Sequence, residues 1–137
     1  MTRARAALAG AAAATVWGLA EPVDRRLFRH GYSDVAILGK LVTRGRGWRP
    51  VGFALHAANG AAFGLAWHEL SKRRPTSPVA LALAEHVALF PLGALVDRYH
   101  PARGTDGVRR VLHPRAFAQA TVRHALFGWV LGRLVRQ

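Results

Sequence analysis

Val51-Gly52-Phe53-Ala54-Leu55-His56-Ala57-Ala58-Asn59-Gly60-Ala61-Ala62-Phe63-Gly64-Leu65-Ala66-Trp67-His68 is the stretch that decides the fold class, because it contains no Asp, Glu, Lys or Arg. A rod crossing a bilayer needs about 20 mostly apolar residues to cover roughly 30 Å of hydrocarbon. Outward from this stretch, three others share its character. Ala6 to Ala20 carries no charge, Pro78 to Val96 carries only Glu85, and Ala116 to Gly132 carries only Arg123. The expected spans are therefore about 4–22, 51–70, 78–96 and 116–134. Each is flanked by Arg, Lys, Pro or Trp, as anchoring at an interface requires.

The remaining composition must be reconciled with that reading. The chain has 137 residues, of which 20 are Lys or Arg and 7 are Asp or Glu, a formal net charge of +13. Such a balance invites nucleic acid as a partner. A soluble basic bundle, however, carries charges along one face of each helix; here the basic residues lie between the apolar runs, which disfavours nucleic acid. The absence of Cys excludes disulfides, a thiolate nucleophile, thiolate-ligated zinc and iron–sulfur clusters. Met1-Thr2-Arg3-Ala4-Arg5, the Ala-rich run and Gly18-Leu19-Ala20 also fit a cleavable signal peptide. The small residues Ala6, Gly10, Ala14 and Gly18 favour a packed first span instead.

Helices in lipid associate by close backbone approach and hydrogen bonds. Small residues recur at four-residue spacing as Gly52, Gly60 and Gly64, and as Ala116, Ala120, Gly128 and Gly132. His56-x3-Gly60-x3-Gly64 matches His124-x3-Gly128-x3-Gly132, and Val23-Asp24-Arg25 is echoed by Val96-Asp97-Arg98. These echoes raise two repeated helical hairpins as an alternative to chance in an Ala/Gly/Arg-rich chain. The fold expected is all-α: a polytopic membrane four-helix bundle forming a single transmembrane domain over 1–137.

The connections divide into two sides. The termini and the 71–77 turn carry 7 Lys or Arg, whereas the 23–50 and 97–115 loops carry 12. Positive-inside counting puts the long loops in the cytoplasm and the termini outside, although Arg3 and Arg5 pull the other way. In the first long loop Ser33-Asp34 caps a short helix to about Thr43, with Val35, Leu38 and Val42 on one face. That helix would lie at the interface, with Tyr32 and Trp48 at headgroup level. Arg44, Arg46 and Arg49 follow on Gly-rich backbone suited to anionic lipid phosphates; ordinary positive-inside anchoring accounts for them as well.

Polar groups at membrane depth are costly and point to function by default. His56, Asn59, Glu85, His86, Gln119, Arg123 and His124 form this set. The cheapest arrangement pairs Glu85 with Arg123, with His56, Asn59 or His124 completing the hydrogen bonds. The conservative reading is an ion pair that fixes helix register. The functional readings are a proton or ion relay, or a haem or divalent-metal site on His56, His86 and His124. No His-Glu-x-x-His or Cys-x-x-Cys-His spacing supports either ligand set. At the long-loop side Asp24, Asp97 and His100 are candidates to hold a metal that binds a lipid phosphate; such residues more often serve as caps and surface pairs.

Several of these motifs carry a family likeness. Glu21-Pro22-x-Asp24-Arg25, Tyr32-Ser33-Asp34, Gly39-Lys40-x-Val42-Thr43-Arg44-Gly45, His56-x-x-Asn59-Gly60, Asp97-Arg98-x-His100-Pro101 and Arg123-His124-x-x-Phe127-Gly128 resemble small uncharacterised four-helix integral membrane proteins of high-GC Gram-positive (actinobacterial) bacteria. The resemblance implies location and architecture, namely a multi-pass protein of the bacterial cytoplasmic membrane, and brings no activity, cofactor or catalytic residue. The function expected is therefore a non-enzymatic structural, partner- or lipid-interacting role, with a homo-oligomer or a membrane protein among the possible partners. The alternatives are the intramembrane His/Glu/Arg site and a lipid-phosphate enzyme at the Arg-rich face.

Overall fold

Thr2 accepts the N–H of Arg5 and starts α1, Arg3–Leu27, the first rod of an all-helical chain. The structure, a computed structural model, describes residues 1–136. α2, Asp34–Val42, is followed by α3, Trp48–Ser71, and α4, Pro78–Leu89. One 3-10 turn at Phe90–Leu92 joins α4 to α5, Gly93–Tyr99, and α6 is Pro114–Val135. Among the described residues there is no strand, only an isolated bridge between Tyr32 and Gly107.

The spans read from the sequence map onto four rods with shifted ends. α1 continues through Pro22 to Leu27, five residues beyond the expected limit of 22. Proline removes the bond that its own N–H would give to residue i−4, and the acceptor lost here is on Gly18, which presents no side chain to the ring. The third rod is α4, the 3-10 turn and α5 in sequence, with Pro101 lying just past its end. Two stretches are long and apolar enough to cross a membrane, Arg3–Leu27 and Pro78–Tyr99. α3 and α6 have 24 and 22 residues, a length of about 33–36 Å at 1.5 Å per residue. Their apolarity is diluted by His56, Asn59 and His68, and by Gln119, Arg123 and His124.

Across the bundle the rods stand in the order α3, α1, α6, α4, with α2 folded back on α3. The packed pairs are antiparallel. Gly10 meets Gly60 while Gly18 meets Phe53, and Trp17 meets Phe127 while Asp24 meets Arg123. On α4 and α6, Val79 meets Gly128 while His86 meets Thr121. The α1–α3 seam is backbone against backbone: a Cβ on Gly10 would collide with the Gly60 carbonyl, and one on Gly64 with the Ala6 carbonyl. This is the close approach that small residues at four-residue spacing permit. Gly39 and Gly52 do the same where α2 crosses α3.

What faces outward is aliphatic. On α1 Leu8, Val16, Leu19, Val23 and Leu27 are exposed, on a stripe with helical spacing. The opposite face buries Ala6, Gly10, Ala13, Ala14, Trp17, Gly18, Glu21 and Asp24. Val87, Leu89, Leu92 and Leu95 on the third rod, and Val122 and Trp129 on α6, also point outward. The largest fully buried side chains include Arg123 and Gln119. Arg123 and Gln119 thus share the interior with small residues and with Trp17, Phe127 and Leu131, while many other large aliphatic side chains lie outside.

The two long loops meet at one end. Ser33 N donates to Gly107 O at 2.9 Å, and Lys40 Nζ to Thr105 Oγ1 at 3.1 Å. His100 Nε2 lies 2.9 Å from Ile37 O, and Arg25 pairs with Asp106. At the other end Glu69 pairs with Arg3 at 2.7 Å and Lys72 at 3.0 Å. The face that α2 buries differs from the expected Val35, Leu38 and Val42. Ser33 caps the helix, but its buried face is Val35, Ala36 and Gly39, Val42 is exposed, and Tyr32 is buried.

Candidate functional site

α6 turns two faces inward. Ala116, Gln119, Ala120, Arg123 and Phe127 face α1, whereas Phe117, Thr121 and Gly128 face α4. On α1 the buried stripe ends in Glu21 and Asp24, one turn apart. Arg123 therefore meets both. Its Nε and Nη2 donate to the two oxygens of Asp24 at 2.6 Å each. Nη1 donates to Asp34 Oδ2 at 2.8 Å and to Glu21 Oε1 at 3.4 Å, and Nη2 reaches Tyr32 O at 3.2 Å.

A guanidinium has five N–H donors, and all five are used. The Tyr32 ring lies beneath it, 4.6 Å from centroid to Cζ. Gln119 Nε2 also donates to Asp24, and Glu21 accepts from Ser33 Oγ and from the Asp34 N–H at 2.8 Å. Burial is the largest influence on Asp34 and works against its charge, but the Arg123 guanidinium, His56, His124 and Tyr32 together hold the carboxyl below its ordinary value. With no donor to spare, Arg123 is a clamp that ties α6 to α1 and to the start of α2.

This corrects the expected Glu85–Arg123 pair. Arg123 faces α1, and Glu85 projects from α4 into the space between the rods, where it makes no ion pair among the described residues. Apolar spacing gave the depth of each group but not the direction in which its helix turns it. The acids that do pair, Glu21, Asp24 and Asp34, were not assigned to Arg123 from sequence. A signal was present, since Glu21 and Asp24 continue the register of Ala14, Trp17 and Gly18.

α3 and α4 do not pack as a helix pair, and a cavity of about 340 Å³ lies between them, with α1, α2 and α6 closing its other sides. It gathers His56, Asn59, Glu85, His86 and His124 from the predicted set, together with Trp17. His124 Nδ1 donates to Ala120 O at 2.7 Å, which leaves Nε2 as its second ring nitrogen. Thr121 Oγ1 donates to Phe117 O at 2.8 Å, so it accepts from His86 Nε2 at 3.0 Å. The His86 and His124 rings stack at 4.7 Å, and Trp17 stands edge-on to both His56 and His124. Trp17 Nε1 and His56 Nε2 are buried without a hydrogen-bond partner.

The proposed metal residues are engaged elsewhere. Asp24 serves Arg123 and Gln119. Asp97 accepts the N–H groups of Val111 at 2.8 Å and Leu112 at 2.9 Å. His100 binds Ile37 O and accepts the Ala102 N–H at 3.0 Å. Asp97 and His100 thus fold the second long loop. Among the described residues no group of three or more His, Asp or Glu is arranged to hold a metal ion, so His56, His86 and His124 do not make one together. Arg44, Arg46 and Arg49 are exposed. Arg49 lies over Trp48 at 5.3 Å, with Lys40 over the same ring at 5.0 Å.

Comparison with family models, with curated proteins and with solved structures finds no match. The geometry of the clamp and the cavity must carry any functional reading.

Proposed function

We propose that this chain is a multi-pass integral membrane protein with a non-enzymatic binding role, its ligand a membrane-borne molecule taken into the cavity between α3 and α4. The observation that carries the reading is the aliphatic outer surface of α1 and of the third rod beside a buried arginine and glutamine. Leu8, Leu19, Val23, Leu27, Val87 and Leu95 are exposed, whereas Arg123 and Gln119 are 1% and 0% exposed. In water so much exposed aliphatic surface would be an association site; in hydrocarbon it is the solvated face. The composition of the spans and their basic flanks support the same view, as does the resemblance to small bacterial four-helix membrane proteins.

In this reading the paired long loops, with 12 Lys or Arg, face the cytoplasm and its anionic headgroups. All five Arg123 donors are committed within the clamp, which supports a fastening role for that cluster. Two experiments test the proposal. The expressed protein should resist extraction from membranes by alkaline carbonate and be monodisperse only with an amphiphile present. A monodisperse species in plain buffer would overturn it. Because the chain has no Cys, Gly104→Cys and Thr76→Cys can be labelled from either side with an impermeant maleimide. The two sites should react from opposite sides, Gly104→Cys from the cytoplasm.

A further inference from the structure

We infer that the cavity between α3 and α4 binds an amphiphilic organic cation, its ammonium head beside Glu85, its apolar part against Phe63 and Phe90, and its chain leaving between the two rods. The ligand class so named deepens the membrane reading above and rests on it. Charge is the first support. Of the chain's 20 Lys and Arg none lines this cavity, whereas two of its 7 acids do, Glu85 and Asp34. Asp34 already shares Arg123 at 2.8 Å. Glu85 accepts no hydrogen bond among the described residues, and its half-buried carboxyl is not sealed as Trp17 Nε1 and His56 Nε2 are. It stands eight residues beyond the Ser77 cap of α4, about 12 Å along the rod. At membrane depth a carboxyl without a partner keeps its proton or takes a cation.

The walls select the kind of cation. A bare metal ion needs several oxygen or nitrogen donors at once, and no group of three or more His, Asp or Glu converges among the described residues. The N–H on His124 Nδ1 is spent on Ala120 O, and that on His86 Nε2 on Thr121. Neither is free for an anionic head, which would also face two carboxyl groups. A neutral ring leaves the charge of Glu85 unanswered. Phe63 on α3 and Phe90 on the third rod are half-buried and line the same space. Each stands edge-to-face with a second ring, Phe127 at 5.0 Å and Phe117 at 4.9 Å respectively, which holds it in place. Aromatic faces attract an ammonium group within about 6 Å, most strongly where water is excluded. The volume of about 340 Å³ falls within the range of small-molecule sites; it suits an ammonium group with a ring, and a bare ion would leave it mostly unfilled.

The route follows from the fold. α2 and the second long loop cover one end, and the side between α3 and α4 is bordered by exposed Asn59, Leu89 and Leu92. The test uses the full chain in phosphatidylcholine nanodiscs, with benzyldimethyldecylammonium as the probe and protein-free nanodiscs as the partition control. Binding should saturate at one cation per chain. Decanoate, the neutral benzyl decyl ether, and sodium or potassium chloride should not displace it. Glu85→Gln, its folding checked by its melting temperature, should weaken binding about tenfold or more, the scale of a lost charge partner away from water. Phe63→Leu should weaken it about two- to fivefold, and exposed Trp129→Phe should leave it unchanged. Wild-type binding no greater than partition, displacement by the ether, decanoate or either salt, or full binding by folded Glu85→Gln or Phe63→Leu would each overturn the inference. A carbonate-resistant protein that fails these tests loses the ligand class alone; one that disperses without amphiphile loses the membrane reading too.

Discussion

Two helix pairs join the halves of the bundle, α1 with α6 and α3 with α4, and the first closes while the second gapes. Aligning His56-x3-Gly60-x3-Gly64 with His124-x3-Gly128-x3-Gly132 shows where they differ. Gly60 lets α3 sit on α1 at Gly10, and Gly128 lets α6 sit on α4 at Val79, so the small-residue seams correspond. Leu55, however, stands where α6 has Arg123, and Val51 where it has Gln119. Across the closed pair a five-donor cation finds Glu21, Asp24 and Asp34. Across the open one Glu85 has no cation to meet, and Leu55 turns partly outward. Small residues bring rods together in pairs; a long polar side chain with waiting acceptors decides whether the pairs then lock.

The most severe test of that contrast is Arg123→Leu. It leaves Glu21, Asp24 and Asp34 without their shared partner, and breaking a buried pair by removing one side costs about 3–5 kcal/mol. Thermal unfolding in detergent should register a large loss, and a melting temperature like that of the wild type would break the comparison. Gly60→Val should come next, at about 1–3 kcal/mol for overpacking a tight seam. Gly132→Ala, which would meet only the Pro78 ring at 3.6 Å, should cost little in the same assay.

Asp34→Asn sharpens the role of the third acid. The folded state lowers the Asp34 pKa, so its contribution is present above the ordinary carboxylate value and is lost as pH falls through the lowered one. Unfolding at neutral pH should show a deficit of up to about 1 kcal/mol for this partly exposed pair. The deficit should disappear in strong acid, where Asp34 is protonated. The smallest effect belongs to Glu85→Gln: without an ion pair to lose, it should shift stability by no more than about 0.5 kcal/mol. A loss as large as that of Arg123→Leu would restore the pairing the sequence had implied.

Much of the architecture was legible because it is written along one dimension. Runs without charge mark the rods, basic residues mark their ends, Ser33 marks the start of α2, and the glycine stripes mark the seams. α1 outruns the expected limit of 22, since tertiary partners for Glu21 and Asp24 sustain the helix beyond Pro22. The candidate site was legible only in its membership. His56, Asn59, Glu85, His86 and His124 do share one cavity, but the partner of Arg123 depends on the rotation of α6 about its own axis. That rotation is set by Phe127 against Trp17 and by Gly128 against Val79. Tyr32 was placed among headgroups for its type, whereas its ring lies under a guanidinium that sequence position alone could not bring there.

The bridge between Tyr32 and Gly107, with Lys40, Arg25 and His100 reaching across the same gap, has a consequence for assembly. The chain could be severed in the 71–77 turn, far from these stitches, and expressed as two separately translated halves. Each half would bring one antiparallel hairpin and one long loop, and the complementary loops together with the arginine clamp would draw them into a single particle. Cutting instead within 100–113 would leave that recognition surface divided and the halves strangers.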